Sequence, residues 1–351
     1  MMRNAAFAIL LIGLTAPAPA QTLYGFFPSP SLMTQKSVID TYRGLGEHGE
    51  VVLFARNVPW KDFLAGPNGT SADIDELNGM VQLAQMNGLE PVFVVDPLNG
   101  LDRRQFFGLP AGWTASFADP RVRAAMMNYT LRIVREFHPR YLALASEINT
   151  YQDTHPDDFP SFMSLYREMY ARVKAAAPDT AVFVTFQWEE LNNLIPGVDG
   201  GKAAYDTRWE QMQAFEPQLD LWAISTYPFV KFPSAYGIPS TYYARLAART
   251  AKPLIVAEGG YTSEEVAGLP GTPEDQIGFL NAIHDQIGSR LRLWIYTVLG
   301  DFSLDSYRPF LEQQGLGTQV STLGMFAHIG LLTTDGVPKP GLVTWDSFRG
   351  K

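Results

Sequence analysis

The chain has no cysteine among its 351 residues. Disulfide bridges, thiolate metal sites, a cysteine nucleophile and lipid attachment through cysteine are therefore excluded. Histidine is sparse: His48, His138, His155, His284 and His328 stand singly, without an HExxH pair, so no metal site is expected. Positive charge is also short. Lys and Arg total 27 against 36 Asp and Glu, the net charge is −9, and no basic stretch occurs. That balance argues against a nucleic-acid partner and suits a neutral substrate better than a polyanion. The opening segment MMRNAAFAILLIGLTAPAPAQ is too short and wrongly flanked for a membrane anchor, and no other segment approaches a span. It carries Arg3, an apolar run to Leu14 and Ala-Pro-Ala before Gln21, the pattern of a secretory signal cut after Ala20. A secreted or periplasmic bacterial protein is expected, with its working part from residue 21.

What the chain does have is apolar material, 46% of its residues, with only 18% charged, enough for a large core. Short apolar runs alternate with longer helical stretches. The runs are 22–27, 50–56, 90–96, 141–147, 181–187, 221–227, 253–259 and 292–298, nearly continuous in Val, Ile, Leu and Phe. Parallel strands buried on both faces look like this. Between them, in DPRVRAAMMNYTLRIVREFH, Val122, Met126, Tyr129, Ile133 and Phe137 share one helical face, and Pro139 follows as a stop. A second helix over 159–177 ends before Pro178. Eight strand–helix units without a linker predict a single α/β domain, a (β/α)8 TIM barrel over 21–351. An open doubly wound sheet would want a glycine-rich turn after its first strand, and FFPSPSLM has none. The loops after the strands are rich in aromatics, which would gather on one rim and offer flat surfaces to sugar rings.

Two strands end in the same unusual way. YLALASEIN stops at Glu147 and PLIVAEGGY at Glu258, each an apolar run closed by a carboxylate that is costly to bury unless it is employed. Both would stand on the rim where barrels do chemistry. A facing carboxylate pair is what glycosidic cleavage needs: one protonated to assist the leaving oxygen, one ionised to attack the anomeric carbon.

With glutamates closing its fourth and seventh strands, the layout resembles the clan of retaining glycoside hydrolases built on a (β/α)8 barrel, which includes cellulases, mannanases and galactanases. The resemblance is architectural and covers roughly residues 22–350. It implies Glu147 as general acid/base and Glu258 as nucleophile. It further implies Arg56, closing VVLFAR, beside the nucleophile, and Tyr227, in AISTYP, hydrogen-bonded to it. The tail GLLTTDGVPKPGLVTWDSF is similar to the closing hairpin and last helix of such enzymes. One position departs. The clan usually has Asn before the acid/base, against the sugar 2-hydroxyl, and here Ser146 stands there, so that contact would pass to Asn149, to Gln187 or through water.

Further binding candidates come from the strand ends. Asp96 closes the third strand, and Gln187 and Trp188 close the fifth. In LWIYTV, Trp294 and Tyr296 share one face of the last strand, either one a platform for the cleaved sugar or core. Glu189 and Glu190 read as a solvated loop. The expected activity is retaining cleavage of a β-linked oligo- or polysaccharide by a monomer without a cofactor. A non-catalytic carbohydrate-binding barrel and a transglycosylase are the alternatives.

Overall fold

The computed structural model describes residues 21–195 and 203–350. The segment read as a signal, 1–20, lies outside the described residues. Eight parallel strand positions form the barrel: β1 (Leu23–Phe27), β2 (Val51–Asn57), β3 (Glu90–Asp96), β4 (Tyr141–Ala143), β5 (Ala181–Phe183 and Thr185–Gln187), β6 (Trp222–Thr226), β7 (Leu254–Gly259) and β8 (Leu291–Val298). The first piece of β5 pairs with β4 and the second with β6, so the hydrogen-bonded order begins and ends on one strand. That strand is interrupted at Val184, and the barrel is nearly closed. Closure removes the sheet edges that would otherwise invite pairing with another chain.

β2 and β3 pair residue for residue from Val51↔Glu90 to Asn57↔Asp96. Their upper ends therefore stand level at the mouth. β4 is shorter than the apolar run 141–147 suggested. Its strand geometry stops at Ala143, although Leu144 N–H still reaches Phe183 O at 2.9 Å and Thr185 N–H reaches Ala145 O at 3.2 Å. The chain then turns into a short helix, Ile148–Thr154, with Glu147 in its N-cap position.

The helices surround the barrel where the periodicity placed them. α1 (Gln35–His48) is capped by Thr34, whose hydroxyl accepts Ser37 N–H, and α2 (Ala72–Met86) follows β2. α3 (Pro120–Phe137) has Asp119 as its cap and proline at its first position, and ends at His138 in the left-handed conformation before Pro139. Its buried face includes Val122, Met126, Tyr129 and Ile133, and Phe137 stacks on Phe93 of β3 at 5.1 Å. α4 (Phe159–Ala176) and α5 (Pro273–Ile287) continue the layer. The tail folds as a turn bridged Leu332↔Pro338 and the final helix α6 (Pro340–Phe348). Trp345 of α6 is wholly buried against Tyr24, Phe26 and Trp294 at 5.1–5.3 Å. Truncating it to alanine would cost about 3–5 kcal/mol.

Two insertions modify the rim. After β3 comes a small antiparallel hairpin, Leu98–Asn99 with Asp102–Phe106. Asn57 Nδ2 ties its root down by donating to Asp96 O (3.2 Å) and Leu98 O (2.9 Å). After β8 the chain forms two further helices, Leu304–Gln313 and Val320–Gly324, before the tail.

Candidate active site

Glu147 adopts φ 46°, ψ 43°, a left-handed conformation that costs a non-glycine residue about 1 kcal/mol or more. Its own N–H is held by Thr185 Oγ1 at 2.8 Å. The conformation turns the carboxylate into the barrel mouth, where Arg103 Nε donates to Oε2 at 3.1 Å and Ser225 Oγ donates to Oε1. Its side chain keeps 12% of its surface open.

Glu258 reaches the same mouth from β7 and lines the cleft together with Glu147. The strand beyond it is pinned. Thr297 Oγ1 accepts Gly259 N–H at 3.0 Å, and Tyr227 Oη lies 2.8 Å from the same Thr297 oxygen. A Cβ on Gly259 would come within 2.8 Å of Thr226 O, so glycine lets β7 lie this close to β6. Dehydration pushes the Glu258 carboxyl up to about 8, and the neighbouring Glu147 charge adds to the rise while Arg103 opposes it. Burial and the neighbouring like charge thus both favour the protonated form of Glu258.

Arg103 is the residue that the sequence reading missed. It sits on the hairpin after β3, bridging Asp96 and Glu147, with its side chain 11% exposed. Burial opposes its charge, but Asp96, Glu147 and Glu258 raise its pKa above the usual arginine range. Asp96 is buried, accepts Leu98 N–H at 3.1 Å, and has its pKa raised by burial against the pull of Arg103. The only trace of Arg103 in the sequence was a pair of arginines in DRRQFF.

Arg56, expected here, points the other way. On β2 it is Ala55 and Asn57 that line the mouth, and strand alternation turns Arg56 outward to Asp73 and Glu76 of α2. Trp294 and Tyr296 are corrected for the same reason. Both face the helix layer: Trp294 packs on Trp345, and Tyr296 donates its hydroxyl to Ile329 O at 2.7 Å. Thr297 and Val298 reach the mouth instead.

The remaining candidates divide. Tyr227 lines the cleft, and burial together with the Glu258 charge keeps its hydroxyl protonated well above the ordinary tyrosine range. Its hydrogen bond runs to Thr297 and braces the strand end after Glu258. Gln187 lines the cleft too, with its amide spent on Glu189 (2.8 Å) and on capping Glu190 N–H (2.7 Å). Asn149 is wholly buried, its Oδ1 accepting Gln187 N–H at 2.8 Å, so it cannot replace the clan's sugar-binding Asn. Ser146 is buried and off the lining. Trp188 is core, wedged between Trp209 and Tyr242 at 5.8 and 5.9 Å.

Glu189 and Glu190 are not solvated. Glu189 is fully buried and accepts from Thr226 (2.7 Å), Tyr242 (2.9 Å), Tyr227 N–H (3.0 Å) and Gln187. Glu190 lines the cleft beside Thr150, pushed up to about 7 by burial. Elsewhere among the described residues, Glu264, Asp301 and His328 bring ligand atoms together, but the Lys339 ammonium already sits 2.7 Å from Asp301 Oδ1.

The cleft over the carboxylate pair has a volume of about 740 Å³, large enough for a small oligosaccharide or drug-sized molecule. A (β/α)8 barrel with paired carboxylates at its mouth is thus the class of site present. No protein-family profile and no curated protein matches the chain, so the likeness that exists is to solved structures. An exo-β-1,4-mannosidase, Op5Man5 from an Opitutaceae bacterium, superposes with TM-score 0.65 at 14% identity, over 94% of this chain and 59% of that one. This chain thus spans less than two thirds of that protein's length. A GH5_18 protein from Bifidobacterium longum gives 0.63 at 16% identity, over 94% and 79%. Fungal β-1,4-galactanases give 0.58 at 14%, over 93% and 99%. At such identities the likeness establishes the TIM-barrel fold.

Proposed function

We propose that the protein is a retaining β-glycoside hydrolase, with Glu147 as general acid/base and Glu258 as nucleophile. The observation that carries this reading is that Glu147 and Glu258, closing the fourth and seventh strands, line one cleft with Arg103 holding Glu147. Retention needs the two carboxyls close across the cleaved bond, and Glu147 lies near enough for its charge to act on Glu258. Together they carry the one proton and one negative charge that double displacement requires. Two of the structural neighbours, a β-1,4-mannosidase and a β-1,4-galactanase, agree with β-glycoside chemistry.

In the resting site Arg103 and Ser225 both donate to Glu147, and Glu258, whose carboxyl is pushed up by burial, holds the proton. Substrate entry shifts it. As the anomeric carbon closes on Glu258, that carboxyl must be ionised, and its proton passes to Glu147 across the mouth. Glu147 then protonates the leaving oxygen as Glu258 bonds to the anomeric carbon. In the second half Glu147 takes a proton from water, which displaces Glu258. Arg103 is a positioning residue, holding Glu147 and the charge of the pair through both halves. We further propose export to the periplasm or medium with loss of residues 1–20, and function as a monomer.

The test is a screen of the chain from residue 21 against β-linked gluco-, manno- and galacto-oligosaccharides and polymers, with Glu258→Gln in parallel. Reducing sugar with retained anomeric configuration, released by the wild type and not by the variant, is the expected result. Release at equal rates by both would remove Glu258 from the mechanism.

A further inference from the structure

The two sides of the cleft differ in kind. Around the carboxylate pair the lining is polar, including Asn57, Asp96, Arg103, Thr150 and Glu190. The opposite wall comes from the helical insertion after β8 and its connecting segments and is, apart from Thr322, mostly apolar: Phe302, Leu311, Leu316, Leu323, Met325 and Phe326. The wall is rigidly joined to the site, since Phe326 packs edge-on against Tyr227 at 4.9 Å. The hydroxyl of Tyr307 is no donor to a ligand, being committed to Pro30 O at 2.7 Å. Phe310, at the outer lip, is 42% exposed. Among the described residues no tryptophan lines the cleft, so the described lining offers no broad indole platform of the kind expected of a polysaccharide cleft.

A sugar laid along that wall would leave its hydroxyls without partners, at a cost for every one dehydrated. An alkyl chain would instead cover aliphatic side chains that water now wets. The polar half has donors and acceptors for a sugar, and the apolar half has surface for a chain. Building on the hydrolase reading above, we propose that the substrate is an amphipathic β-glycoside. Its glycone sits at Glu147 and Glu258 and its alkyl aglycone lies on the wall from Phe302 to Phe326. The bond cleaved joins the anomeric carbon to the aglycone oxygen. Glu147 gives its proton to that oxygen, water supplies the hydroxyl to the sugar, and the products are a free sugar and an alcohol.

The experiment compares methyl, butyl, octyl and dodecyl β-glucosides, β-galactosides and β-mannosides with the matching β-linked disaccharides, all below micelle formation. Turnover is followed by sugar release, and binding to the Glu258→Gln variant by calorimetry. For the accepted sugar, kcat/KM should rise about threefold per methylene over the first several carbons and exceed that of the disaccharide. Phe310→Ser and Leu323→Gln should each reduce the dodecyl-to-methyl ratio at least fivefold. Turnover of oligosaccharides with no chain-length dependence would overturn the aglycone proposal and leave the hydrolase standing. Chain-length-dependent binding without turnover would uphold the apolar subsite and remove the hydrolase reading. Absence of both binding and turnover across the alkyl series would sink the proposal.

Discussion

Arg103 Nε lies 3.1 Å from Glu147 Oε2 while another nitrogen of the same guanidinium pairs with Asp96. One arginine from an inserted hairpin thus neutralises a strand-end aspartate and fixes a carboxylate of the candidate catalytic pair. A lysine cannot do both, since its ammonium lacks the planar fork. Arg103→Lys should lower kcat about 10- to 100-fold with a smaller change in KM. Arg56→Gln removes only the outward pairs with Asp73 and Glu76 and should keep wild-type kcat, losing about 1–2 kcal/mol of stability. Steady-state kinetics and urea denaturation of both variants check this. Equal kinetic losses would return Arg56 to the site.

The pH profile follows from the shared proton. With one proton on the pair the site is competent. As pH rises through about 8 the last proton leaves, the acid is lost and kcat/KM falls. Arg103→Lys, by weakening the charge that opposes the rise of the pair, should move this alkaline limb upward. A free-enzyme profile flat from pH 6 to 10 would contradict the dyad.

Stability should carry the opposite mark of the same carboxyl. Glu258 binds its proton more tightly folded than unfolded, so between its usual 4.5 and about 8 the folded state holds more protons. Stability therefore falls as pH rises across that window. Glu258→Gln removes the penalty and should be about 4 kcal/mol more stable than wild type at pH 8.5, and within about 1 kcal/mol of it at pH 5. Denaturant curves at the two pH values measure it. The variant should be inactive and sturdier, a trade common where function demands a buried charge.

The Lys339–Asp301 pair makes a purely structural prediction. Lys339 comes from the tail and is buried, with Nζ 2.7 Å from both Asp301 Oδ1 and Ser263 Oγ. Lys339→Met leaves Asp301 buried without a counterion and should cost about 3–5 kcal/mol. Adding Asp301→Asn should recover part of that loss, and denaturant midpoints of the three variants decide it.

Chain order, composition and period were enough for the barrel. The apolar runs fall on the eight strand positions within a residue or two, except that the fourth strand stops early. Local chemistry sets these features: β-branched runs, capping Thr34 and Asp119, and prolines that end helices. Glu147 and Glu258 stood out for the same local reason, each a charge at the close of an apolar run. Tertiary structure alone decided which face of each strand looks inward. A barrel strand is buried on both sides, so alternation defines two faces without naming the inner one. Arg56, Trp294 and Tyr296 all fell on the outer face for that reason. Arg103 was invisible on similar grounds, because its role depends on a hairpin folding back over β3 to meet Glu147. The sequence by itself determined the scaffold and the two carboxylates. The closed barrel and its inserted loops decided what surrounds them, since those contacts join residues far apart in the chain.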